Sequence, residues 1–83
     1  MSSSYTPELV AELEILVLFN LGNTMEGLKI HHTAAPAAIA AATRLYEKEL
    51  TTQADGGYLT SLGLEAAKHA QSLLIILTVA ETA

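Results

Sequence analysis

The chain has no cysteine and no tryptophan, a single phenylalanine, two prolines, and only four basic residues against nine acidic ones. Without cysteine, disulfide frameworks, thiolate zinc sites and a cysteine nucleophile are excluded. The formal charge of −5 has the wrong sign for a protein whose affinity comes from neutralising phosphates. Long apolar runs are missing too. The longest unbroken runs of large apolar side chains, Ile15–Phe19 and Leu73–Leu77, are five residues each, against the roughly 20 that a membrane-spanning helix needs. Met1–Ser4 carries no positive charge and leads into no secretory leader pattern. The expectation from these absences is a cytoplasmic protein with no membrane partner.

What is present is a short, apolar chain. Its 83 residues are 51% hydrophobic and 16% charged, and the mean hydropathy is +0.35. That is room for one domain, 1–83, with residues 1–5 expected as a flexible N-terminus, and it is too apolar for disorder.

Local signals order the elements. Thr6-Pro7-Glu8 combines a capping hydroxyl, a proline at the first helical position and an acid in the first turn, so a helix is predicted from Pro7. Leu21-Gly22-Asn23 is expected to end it, with Gly22 as a left-handed cap. Asn23 and Glu26 have capping-box spacing, which opens a short second helix carrying Met25 and Leu28, with an extended Gly27–His31 as the alternative. Ala34–Ala42 holds seven alanines in nine residues. With Pro36 in its first turn, this predicts a third helix through Lys48, burying Ile39, Ala42, Leu45 and Tyr46. Ala54-Asp55-Gly56-Gly57 lies between short β-prone runs and predicts a hairpin, after which Thr60 caps a long last helix through Leu77.

Specific residues carry a resemblance. Pro36-Ala37-Ala38-Ile39 looks like the start of a recognition helix, and Arg44-Leu45-Tyr46-Glu47-Lys48-Glu49-Leu50 is similar to the run that closes it in many bacterial regulators. Asp55-Gly56-Gly57-Tyr58-Leu59-Thr60 followed by Ser61-Leu62-Gly63-Leu64-Glu65-Ala66-Ala67 resembles their wing tip, second wing strand and entry to the last helix. Over roughly residues 23–77 the chain therefore resembles the winged helix-turn-helix superfamily, and as a whole a small family of uncharacterised bacterial proteins. The resemblance implies a mainly α fold with a small β-hairpin: three helices, a two-stranded wing and a long C-terminal helix. Glu49 departs from it, standing where many winged helices have glycine.

The chemistry at the positions that would face DNA is poor. Thr33, Ala34, Ala35, Ala37, Ala38 and Ala41 offer one hydroxyl and otherwise methyl groups, whereas base readout needs arginine, lysine or amide side chains. Lys29, Thr33, Arg44 and Lys48 are the candidate DNA contacts if the chain is a dimeric transcription regulator. His31, His32 and His69 lack chelating spacing, and no nucleophile motif or phosphate-binding loop is present. Neither a catalytic site, a metal nor another cofactor is expected. The favoured expectation is a non-enzymatic module acting through protein contacts, as a homodimer. Its interface would use Ile15, Leu18 and Phe19 of the first helix with Leu64, Ile75 and Val79 of the last, because one small core cannot cover so much apolar surface.

Overall fold

In the computed structural model, residues 4–23 and 25–82 are described. Six elements follow one another: α1 (Pro7–Leu16), β1 (Leu28–Lys29), α2 (Pro36–Glu47), β2 (Thr51–Gln53), β3 (Gly56–Leu59) and α3 (Ser61–Thr82). The strands form one antiparallel sheet in the order β1-β3-β2, with Leu28 opposite Gly57 and Thr51 opposite Leu59. The architecture is three helices and a small three-stranded sheet.

The helix starts form as their local chemistry dictates. The Thr6 hydroxyl accepts from the Leu9 amide at 3.2 Å, and Pro7 occupies the first position of α1. Pro36 does the same in α2, which has no capping side chain. The Thr60 hydroxyl accepts from the Gly63 amide at 3.0 Å and donates to the Glu49 carbonyl at 2.7 Å, so one side chain caps α3 and ties it to the end of α2.

Two boundaries differ from expectation. α1 stops at Leu16 rather than running to Leu21, and Gly22 is not in the left-handed region. Gln71 of α3 supplies the reason: its side-chain amide donates to the carbonyls of Leu16 and Phe19, at 3.4 and 2.8 Å, taking up acceptors just where the helix ends. The expected short second helix is absent, and the extended alternative holds. Asn23 closes a turn instead, its side chain accepting from the Met25 amide, while Glu26 accepts from the Asn20 side chain rather than from a cap. Leu28–Lys29 then pairs along β3, so the sheet has three strands and not the two of a simple wing. Thr24 and residues 1–3 of the expected flexible end lie outside the described residues.

The core consists of Ile15, Leu16 and Phe19 from α1 and the turn after it, Ala41, Ala42 and Leu45 from α2, and Ala67 and Ala70 from α3. Half of these eight are alanines, so the helices approach closely and the buried apolar volume is small. The predicted stripe on α2 is rotated: Ala41 is fully buried, whereas Ile39 and Tyr46 are exposed. Leu62 lies outside the core at 60% exposure, while Leu59 packs against it and Tyr58 is exposed. Gly63 is buried against Leu50, where a Cβ would collide with the Leu50 carbonyl.

Candidate interaction surface

α1 runs antiparallel to the C-terminal half of α3, as its end meets Gln71 while Val10 and Leu77 line one groove. The groove is formed by Val10, Leu13, Val17 and Glu14 on one side and Ala70, Leu73, Leu74 and Leu77 on the other. Spacings of three and four residues on each helix put these side chains on facing stripes. Leu73, Leu74 and Leu77 form a ridge along the groove's α3 side. Leu74, Ile75, Ile76 and Leu77 are each more than half exposed, so α3 is uncovered on several faces, and Leu18 is 59% exposed just beyond the end of α1. Large apolar residues are rarely left uncovered in such number.

The molecule's dimensions reflect this. Its accessible surface is 5783 Å², where a compact monomer of this mass shows about 4,800 Å². The radius of gyration is 13.0 Å, against about 11.8 Å for a compact chain of this length.

Of the residues expected at a dimer interface, Leu18, Ile75 and Val79 are exposed. Ile15 and Phe19 are not free for a partner, because at 3% and 5% exposure they form the chain's own core. Leu64 is half-buried beside Phe19, Asn20 and Leu59, away from the ridge.

The opposite side of α1 is built for charge. Glu12, 5% exposed, accepts from Arg44 Nε at 3.0 Å and from Lys48 Nζ, while Arg44 also donates to the Glu8 carbonyl at 3.0 Å. Burial alone would push the Glu12 carboxyl up. The hydrogen bonds and charges of Lys48 and Arg44 outweigh it and hold the group below its ordinary value. Two of the four candidate DNA contacts are therefore already paired within the chain. A third, Lys29, lies 3.6 Å from Asp55 on the hairpin turn, and Thr33 is exposed in the loop before α2. Arg44 and Lys48 are brought together, but Lys29 lies in β1 and Thr33 in the loop before α2.

Sequence reasoning found the basic pair, four residues apart on one helix face, and missed both Glu12 and Gln71. Each acts on a partner more than 30 residues away, and no local pattern announces such a contact. His31, His32 and His69 are exposed, and among the described residues no group of three or more histidine, aspartate or glutamate side chains is placed to hold a metal.

The five-residue apolar runs understate α3. Residues Ser61–Val79 form a helix long and apolar enough, by length and composition, to cross a membrane, with mean hydropathy 1.2 and 17% of the window buried.

A family profile matches residues 3–78, and its description is a family of unknown function, DUF5669. The chain belongs to that family. No curated protein and no solved structure matches it.

Proposed function

We propose that this family member is a non-enzymatic, winged-helix-like regulatory module that works through protein contacts made by the α1–α3 face. The observation that carries this reading is the apolar groove between α1 and α3, whose Val10, Leu73, Leu74 and Leu77 are left exposed by the chain's own fold. Covering it releases the free energy that drives association, about 25 cal/mol per Å² of apolar surface removed from water.

The element order, with a helix leading through a tight corner into a β-hairpin and a final helix, supports the winged-helix description. It does not by itself support DNA binding, since function resides in the site rather than the fold. A DNA-binding regulator would need Arg44 and Lys48 for phosphates. Glu12 neutralises part of their charge, and the α2 surface otherwise offers alanine methyls.

The module works in the cytoplasm and off the membrane. The first half of α3 carries Glu65, Lys68, His69 and Gln71 and packs Gly63, Ala67 and Ala70 into the domain. Crossing a bilayer would require dismantling that packing and taking those polar groups into hydrocarbon.

Titration with random-sequence duplex DNA at low salt tests the choice of class. The expected result is no binding with a steep salt dependence. A signal that falls steeply with salt, and weakens when Arg44 and Lys48 are both changed to alanine, would replace this reading with a DNA-binding regulator.

A further inference from the structure

Resting on the protein-contact reading, we propose that the partner of the α1–α3 groove is α3 of a second copy of this chain, seated by a two-fold axis. The surface is self-complementary. Each copy carries a groove lined by Val10, Leu13 and Val17 of α1 and the turn after it and by Ala70, Leu73, Leu74 and Leu77 of α3, and Leu73, Leu74 and Leu77 form a partly exposed ridge along its α3 side. A two-fold operation lays the α3 ridge of each copy into the groove of the other, which is the isologous geometry of most homodimers.

Charge and helix character both support that occupant. The net charge of −5 would oppose self-association if spread evenly, but it is not. Among the described residues, Glu14 is the one charged residue lining the groove. Glu12 is turned away and held by Arg44 and Lys48, and Glu26, Glu47, Glu49 and Asp55 belong to the turn before β1, the end of α2 and the hairpin. The further acids of α1 and α3 are Glu8, Glu65 and Glu81. A helix apolar on several faces needs cover on more than one. α1 of the same copy covers one face of α3, and a second α1–α3 pair covers another, completing a four-helix arrangement. A lipid surface fits less well, because helices that lie on membranes carry a lysine- and arginine-rich polar face. α3 has one basic residue, Lys68.

Sedimentation velocity on the full chain, from about 1 to about 100 μM, tests the assignment. The wild type is expected at twice 8.8 kDa. Leu74→Glu and Leu77→Glu, both at groove residues more than half exposed, should keep the circular dichroism of the folded protein and raise the dimer dissociation constant about 100-fold or more. Leu62→Glu places the same charge on an equally exposed apolar residue in the first turn of α3, and should remain dimeric. A wild type monomeric at the top concentration overturns the proposal, as does a dimer insensitive to both groove-side substitutions. In the monomeric case, a protein retained from native lysate by the wild type and lost with Leu74→Glu leaves the protein-contact reading standing with a different partner. Flotation of the monomer with phosphatidylcholine–phosphatidylglycerol vesicles, and no such protein, overturns both.

Discussion

Glu12 keeps its charge in a nearly dry position because two cations reach it from α2. An unpaired carboxylate there would be neutralised by its own desolvation cost. The arrangement fastens α1 to α2 and takes up donors that could otherwise have met a phosphate. Replacing Glu12 by glutamine keeps the shape and removes the charge. Arg44 and Lys48 are 29% and 48% exposed at their side chains, so both can rehydrate, and the loss should be about 1–3 kcal/mol rather than that of a buried orphan charge. The pH dependence has a definite sign. With the folded carboxyl lowered from 4.5, the pair's contribution is complete above the unfolded value and is lost as pH falls through the folded one. Denaturant melts should show the wild type losing stability below about pH 4.5, with a shallower acid limb in Glu12→Gln. The same steepness in both proteins would place the acid sensitivity elsewhere. The spacing of Arg44 and Lys48 on one helix face was legible in the sequence. Their acid was not, since Glu12 sits among several glutamates of α1 and only the packing of two helices selects it.

At the scale of elements, the corner from α2 into the hairpin is the most determined part of the fold. Leu50 N–H reaches the Leu45 carbonyl and Glu49 N–H the Tyr46 carbonyl, each at 2.9 Å, which is the paired closure of a Schellman motif. That closure requires a left-handed residue, and Glu49 takes it with φ 65°. The glutamate accepts strain that glycine would not. Two substitutions bracket the corner. Glu49→Gly relieves that strain and should raise stability by about 0.5–1 kcal/mol, the gain being reduced by the freer unfolded chain. Gly63→Ala drives a methyl into the Leu50 backbone, which cannot swing aside as a side chain can. It should cost about 1–3 kcal/mol or more. A neutral Gly63→Ala in chemical denaturation would mean that α3 can slide away from the corner. The helix caps, the hairpin and this corner were readable because their determinants lie within a few residues of one another. The short second helix was misread because Asn23 and Glu26 have capping-box spacing yet spend their side chains in a turn, and the pairing with β3 that extends Leu28–Lys29 comes from nearly 30 residues on. α1 was read more than one turn too long for the same reason: Ile15–Phe19 continues an apolar pattern, whereas the carbonyls at its end are taken by Gln71.

For the whole molecule, the size of the core argues about assembly. Leu45 is the one large side chain among the described residues with less than 2% exposure, and four of the eight core residues are alanines. A domain this small buries a low fraction of its surface and is marginal alone. Its largest unburied apolar asset is the α3 ridge, so cover for that ridge should supply a sizeable part of the folding free energy. A dimer coupled to folding makes the melting temperature depend on concentration, because mass action favours the associated state. Each tenfold rise in protein adds about 1.4 kcal/mol per dimer, and for a unit of about 166 residues this corresponds to roughly 3–6 °C. Thermal melts followed by circular dichroism from about 2 to about 200 μM should therefore move by about 6–12 °C in the wild type. Leu74→Glu should melt lower and at one temperature throughout, since its loss is that of the partner and not of the core. The sequence anticipated an apolar excess on the first and last helices, but Ile15 and Phe19 face inward and only packing could show it. A wild-type melting temperature that stays fixed over that hundredfold range would mean that the ridge adds nothing to stability, and that the alanine-rich core holds the fold unaided.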